Sequence, residues 1–180
     1  MQIIDITDVE DSQDKNAEDI SSRIAVGIDF GTTNSLVAIS RDHSAQIIKA
    51  DTNVISSDIL PSIVSYDREI HVGYIAQNSI FVRSIKRLFA KSYDEIKENK
   101  VLSNLTNSLV CLDNKLPGIK IEDTIKTVPE VASEIFKSLK KSAENDLGYE
   151  IKKAVVSVPA YFNDLERGQV IYSAKLAGLD

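Results

Sequence analysis

Cysteine, histidine and long apolar runs are all scarce in this sequence, and each shortage removes a class of function. Cys111 is the only cysteine, so no internal disulfide can form. Such sparing use accords with a reducing, cytoplasmic setting. In the apolar run Leu109-Val110-Cys111-Leu112 it reads as a small buried hydrophobe rather than a reactive thiol. The two histidines, His43 and His71, have no cysteine or histidine neighbour at ligand spacing, which argues against a transition-metal site. Both read as surface or loop residues. No eighteen-residue apolar run is present, and no apolar h-region lies near the N-terminus. The expectation is a chain without a membrane span or secretory signal. A basic excess is missing too: the net charge is −6, so electrostatics offers no reason to bind nucleic acid. Repeats and low-complexity tracts are absent. Neither the Walker Gly-Lys-Ser/Thr nor the Gly-x-Gly-x-x-Gly spacing occurs.

What remains is globular in character: 43% hydrophobic and 27% charged residues over 180 positions. A chain this long buries about 70% of its unfolded surface. That suits one domain, with room for two subdomains. Residues 1–23 stand apart. Seven carboxylates there face only Lys15 and Arg23, a local net of −5 without aromatics. This acidic extension reads as a mobile tail, with an adaptor contact as the functional alternative.

Order is expected from Ile24. Residues 24–29 form a short apolar run typical of a buried strand, 30–34 a polar turn, and 35–40 and 46–50 two more strands. Residues 60–66 and 69–73 suggest a hairpin. Residues 74–100 read as short helices and loops, and 109–126 as short strands around a Leu116-Pro117-Gly118 turn. Thr127 and Glu130 form a capping box for a long helix, with Pro129 in its first turn. Val131, Ile135, Leu139, Ala143 and Leu147 make its apolar stripe, and Gly148 ends it. Residues 154–158 read as a buried strand stopped by Pro159, and Asn163 or Asp164 caps a last helix running to Gly178. The order implies an α/β class, a mixed sheet with helices on it. The core spans 24–55 and 127–180, and an inserted small α+β subdomain spans about 56–126.

The strongest chemical signal is Gly27-Ile28-Asp29-Phe30-Gly31-Thr32-Thr33-Asn34-Ser35. Gly31 lets the backbone approach a ligand, and successive N–H groups in such a turn can form an anion nest. Thr32 and Thr33 add hydroxyl donors. Asp29, ending a strand, suits magnesium that keeps its waters. From local chemistry alone, phosphate binding and an ordinary glycine-turn hairpin both stand.

This segment resembles the first phosphate loop of the heat shock protein 70 (DnaK-type) chaperone family. Leu60-Pro61-Ser62-Ile63-Val64 resembles that family's Leu-Pro-Ser segment. Ser84-Ile85-Lys86-Arg87-Leu88 resembles the segment carrying its catalytic lysine. Val158-Pro159-Ala160-Tyr161-Phe162-Asn163-Asp164, with Arg167 and then Ala177-Gly178-Leu179, resembles the strand and helix that close its first lobe. The resemblance covers about residues 24–180 and implies the first lobe of an actin-like, ribonuclease-H-like ATPase. Val72-Gly73-Tyr74, Asn78-Ser79-Ile80 and the N-terminal extension look more like the HscA branch than general DnaK.

The resemblance implies roles for particular residues. Asp29 positions magnesium through water. Gly31, Thr32, Thr33 and Asn34 hold the phosphates of ATP or ADP. Lys86 orients the attacking water and stabilises charge on the γ-phosphoryl group. Pro159 and Arg167 act as an interdomain relay. On the residues alone, Lys86 could be a solvated surface lysine, Pro159 a strand terminator and Arg167 solvent-facing. The HscA branch also implies maturation of iron–sulfur proteins, with an HscB-like J-domain co-chaperone and an iron–sulfur scaffold protein as partners. Ala90 stands where the family usually has glycine. Leu165-Glu166-Arg167-Gly168 and Tyr172-Ser173 also depart from its pattern, which bears on the relay. The family's Asn-Glu-Pro-Thr segment, second phosphate loop, adenosine pocket, second lobe and peptide-binding domain lie outside these residues. The expectation is therefore a fragment, or the product of a split or truncated gene, inactive by itself. Alternatives are a general DnaK-type fragment, a metabolite kinase of the same superfold and a non-catalytic remnant.

Overall fold

The computed structural model describes residues 25–41, 44–52, 54 and 56–180, so the acidic stretch 1–23 and His43 lie outside the described residues. Three strands open the fold: β1 (Ala25–Asp29), β2 (Asn34–Arg41) and β3 (Ser44–Ile48). Short strands β4 (Ala50–Asp51), β5 (Ser56–Ser57) and β6 (Leu60–Pro61) follow, then β7 (Ile63–Tyr66), β8 (Ile70–Val72) and β9 (Ile80–Arg83). A 3₁₀ turn at Ile85–Leu88 and two short helices, α1 (Tyr93–Glu98) and α2 (Lys100–Ser103), lead to β10 (Leu109–Cys111), β11 (Pro117–Ile121) and β12 (Thr124–Thr127). The chain then forms α3 (Val128–Leu147), β13 (Lys153–Ser157) and α4 (Asp164–Leu176).

The central sheet runs β13-β1-β2-β3, with β6 also paired to β2. β1 to β3 are antiparallel, whereas β13 lies parallel to β1 with Gly27 opposite Val155 and Asp29 opposite Ser157. The sheet is therefore mixed, as the element order implied. Its two faces differ sharply. Val26, Ile28, Val37 and Ile39 are buried beneath helices, while Ala25, Gly27, Asp29, Val155 and Ser157 face outward.

Helix α3 holds the core together. Thr127 and Glu130 exchange hydrogen bonds: Thr127 N–H donates to Glu130 Oε2 at 2.7 Å, and Glu130 N–H donates to Thr127 Oγ1 at 3.4 Å. Gly148 closes the helix at φ 77°, a left-handed conformation that glycine adopts without a Cβ clash. Val131, Ile135, Phe136, Leu139 and Ala143 are fully buried. Burial of each larger side chain contributes about 1.5–3 kcal/mol relative to exposure. Phe136 meets the Phe30 ring at 4.8 Å, and Phe30 in turn meets Phe89 at 6.0 Å. These three rings join the start of the loop after β1 to α3 and to the segment after Lys86.

Five local expectations need correction. Residues 80–83 are a strand, because antiparallel pairing with β7 (Ile63 opposite Arg83) supplies bonds that no local pattern announces. The turn near Pro117 comes earlier, at 112–116, and Pro117 opens β11, a strand position proline tolerates. Cys111 is exposed, since it ends β10 at the rim of a small three-stranded sheet. β13 is not buried: Val155 is 71% exposed, because only one face of this strand is packed on a helix. His71, expected on the surface or in a loop, lies half-buried on β8. Its Nε2 is 2.8 Å from Asp67 Oδ1 and its Nδ1 is 2.7 Å from the Tyr74 hydroxyl.

Candidate functional site

The loop between β1 and β2 begins with an anchor. Phe30 has no exposed surface and plugs the core beneath it. Gly31 follows under strict steric demand: a Cβ there would lie 1.9 Å from the Asn34 carbonyl oxygen, so only glycine fits. Both polar backbone groups of Gly31 are tied inward. Its N–H donates to Ser35 Oγ at 3.3 Å, and its carbonyl accepts from Ser62 Oγ at 2.9 Å. The two hydroxyls are 2.9 Å apart. Because the Ser62 proton goes to Gly31, the Ser35 hydroxyl donates to Ser62, closing a ring of three hydrogen bonds. Both serines are 1% exposed, so the ring is shielded from water. Ser62 N–H also donates to the Thr33 carbonyl at 2.7 Å. Thus the backbone is braced from below, with Thr32 half-buried and Thr33 and Asn34 exposed above it.

Asp29 ends β1 on the open face, and its Oδ1 accepts from Ser157 Oγ at 2.5 Å. Among the described residues no group of three His, Cys, Asp or Glu side chains could hold a metal directly. A single exposed carboxylate beside the Ser157 hydroxyl fits a cation that keeps most of its waters, as magnesium does.

Lys86 sits in the 3₁₀ turn and is 8% exposed, not a solvated surface lysine; the neighbouring Arg87 is the exposed one. Its Nζ donates to the Phe30 carbonyl. The ammonium lies 5.5 Å from the Phe30 ring centre and 5.3 Å from that of Phe162, within cation–π range. Burial pushes the Lys86 ammonium below the ordinary lysine range, and the Asp29 carboxylate opposes that shift. The flanking residues are unusual. Ser84 (φ 49°) and Ala90 (φ 54°) are both left-handed. Ser84 N–H donates to the Ser62 carbonyl at 3.0 Å, and Ala90 N–H donates to Gln169 Oε1 at 2.8 Å.

Pro159 and Arg167 both bond the Phe162 backbone. The Pro159 carbonyl accepts from Phe162 N–H at 3.1 Å. Arg167 is half-buried rather than solvent-facing; its Nε donates to the Phe162 carbonyl at 2.9 Å and a terminal nitrogen to the Ala160 carbonyl at 3.3 Å. Arg167 thus braces the turn whose Phe162 ring covers the Lys86 ammonium. Sequence reasoning assigned no role to Ser35, Ser62, Ser157, Phe162 or Gln169. The available signals were the family-like segments that contain Ser35, Ser62 and Phe162, which mark these residues without saying what they hold.

The arrangement joins a braced glycine-threonine loop, an exposed carboxylate and a partly dehydrated ammonium within one neighbourhood. Comparison with known proteins points the same way. The family model described as "Hsp70 protein" matches residues 25–180. Chaperone protein HscA homologs are similar over the whole chain: that of Rickettsia bellii is 39% identical and that of Rickettsia felis 37%. The chain spans 29% and 27% of the length of those two relatives, respectively.

Proposed function

The chain belongs to the Hsp70 family, and on that premise we propose that residues 24–180 are the first lobe of an actin-like ATPase domain that binds magnesium–ATP. Within it, residues 24–55 and 127–180 are the core, and residues 56–126 an inserted subdomain. The observation that carries this reading is the bond from the buried Lys86 ammonium to the Phe30 carbonyl, at the base of the Gly31–Asn34 loop. It sets the cation beside the loop that the family resemblance assigns to phosphate.

Each residue then has a physical task. The loop of Gly31, Thr32, Thr33 and Asn34 receives the phosphates, and its inward braces keep it from collapsing when empty. Asp29 would hold magnesium through water, and that ion would supply positive charge against the phosphates. Lys86, already stripped of most of its water, orients the attacking water and meets charge developing on the γ-phosphoryl group. A preorganised cation of this kind acts more strongly in the transition state than in the ground state. Pro159 and Arg167 link this site to a substrate-binding part, through Phe162. Similarity to HscA homologs over the whole chain supports a chaperone role in iron–sulfur protein maturation, with an HscB-like J-domain protein and an iron–sulfur scaffold as partners.

Backbone amide NMR of the 180-residue chain tests the nucleotide reading. Millimolar ATP with magnesium is expected to shift the amides of residues 29–35, and Asp29→Asn to abolish the magnesium-dependent part of that shift. No shift in this loop, or one indifferent to magnesium, would overturn the assignment.

A further inference from the structure

Lys86 is carried by an arch from Ser84 to Ala90, and both feet of the arch are left-handed. That conformation crowds a Cβ against the following carbonyl, so a residue other than glycine holds it only under outside constraint. At the entry foot, the constraint comes from the phosphate loop's own brace, through the Ser62 carbonyl. At the exit foot it comes from a side chain 79 positions away: Gln169 Oε1 accepts the Ala90 N–H at 2.8 Å. Between the feet, Leu88 and Phe89 are each 1% exposed, and Phe89 packs on Phe30. Only three residues separate Lys86 from Ala90, two of them fixed in the core. A change of backbone at Ala90 is therefore passed to Phe89 and on to the turn that carries Lys86.

Helix α4 grips this region twice. Arg167 holds the Phe162 carbonyl, whose ring covers the ammonium, and Gln169, two residues later, holds the exit of the arch. We propose that Gln169 is a positioning residue for Lys86, accepting the Ala90 N–H to hold the left-handed exit and so fixing how deeply the ammonium sits against Phe30 and Phe162. Its consequence for turnover rests on the reading of Lys86 given above, but the positioning itself can be measured without nucleotide.

The test uses the isotopically labelled 180-residue chain. Gln169→Ala is expected to speed exchange of the Ala90 amide at least about tenfold, the loss of one hydrogen bond's protection. It is also expected to move the titration midpoint of Lys86, read from its side-chain carbon shifts, upward toward that of an ordinary lysine. Gln169→Glu keeps the acceptor and is expected to keep the Ala90 amide protected; its added charge bears on the Lys86 midpoint, so that variant is read by exchange alone. Ala90→Gly, added to Gln169→Ala, restores the Lys86 midpoint, because glycine adopts the left-handed exit unaided. If Gln169→Ala frees the Ala90 amide but leaves Lys86 titrating as before, Gln169 is a local cap and the proposal is wrong. Should Gln169→Ala unfold by itself, the double variant decides: a parent-like Lys86 midpoint supports the proposal, and an ordinary lysine midpoint overturns it. Failure of the nucleotide reading has a separate signature, ATP causing no shift at residues 29–35, and it leaves this measurement intact.

Discussion

Lys86 bonds the Phe30 carbonyl and Asp29 precedes Phe30 in the chain, yet the tasks proposed for them separate under mutation. In a chain of the relatives' full length, Lys86→Ala is expected to lower single-turnover hydrolysis by about 10²–10³-fold, the usual loss for one electrostatic group, while ATP binding is largely kept. A group acting mainly on the transition state lowers turnover more than affinity. Asp29→Asn is expected to do the reverse and weaken the magnesium-dependent part of binding. Hydrolysis at the parent rate in Lys86→Ala would reduce Lys86 to a structural lysine. At this scale residue type and spacing singled out Asp29, Gly31 and the threonines as candidates, whereas only the family resemblance singled out Lys86, which the residues alone left as a possible surface lysine. The sequence was silent on the bracing residues. Ser62 reaches Gly31 across 31 positions and Gln169 reaches Ala90 across 79. Such contacts exist only after the sheet and α4 are in place, and a serine or glutamine by itself announces nothing. Cys111 shows the opposite failure: an apolar run names candidates for burial but not which end of a strand reaches water.

At the scale of elements, local signals served best where the chain caps itself. The box at Thr127 formed as spacing predicted, and Asn163, one of two candidate caps for the last helix, forms a box with Glu166; each closes within four residues. Strand β9 and the true turn before Pro117 escaped because their partners are distant or because proline marks either a turn or a strand's first residue. The α3 cap yields a pH prediction. Hydrogen bonds from the Thr127 backbone and hydroxyl hold the Glu130 carboxyl below the usual glutamate range, with burial opposing. A pKa depressed in the folded state stabilises the fold above the unfolded value, and this contribution is lost as pH falls through the folded one. Glu130→Gln should therefore be less stable than the parent near neutral pH, with the gap closing in acid below the glutamate range. Thr127→Ala should cost about 1 kcal/mol at neutral pH by loss of the cap. Urea unfolding at neutral and acidic pH measures both; a Glu130→Gln gap that stays constant across that range would show that the charge is not what stabilises α3.

The molecule as a whole presents one closed side and one open side. Helices cover Val26, Ile28 and Val37, while the opposite face carries Gly27, Asp29 and the 71%-exposed Val155. Tyr161 at 82%, Leu165 at 63% and Ile171 at 58% add further exposed apolar surface on the turn and α4. Surface of this kind favours association, and much of the net charge of −6 that opposes it lies in the first 23 residues. The 180-residue chain is accordingly expected to self-associate at high concentration; sedimentation as a monomer without binding an apolar-surface dye would count against this.

The same openness decides what the 180-residue chain can do with ATP. Asp29, Thr33 and Asn34 are all exposed, so phosphates bound as proposed would face bulk water on their other side. Two unit charges about 4 Å apart interact by about 1 kcal/mol in water and about 4 kcal/mol at the effective dielectric of a protein surface. On the proposed reading, a single wall leaves the Lys86 charge acting on a screened, mobile γ-phosphoryl group. Positioning suffers as well, because an aligned water and phosphoryl group must be held from more than one side for the full entropic advantage. The 180-residue chain is therefore expected to bind magnesium–ATP weakly and to release phosphate far more slowly than a chain of the relatives' length. Steady-state phosphate release, compared between the two under identical conditions, is the measurement. Equal rates would mean that the residues on this one wall, Lys86 foremost, suffice for the chemistry.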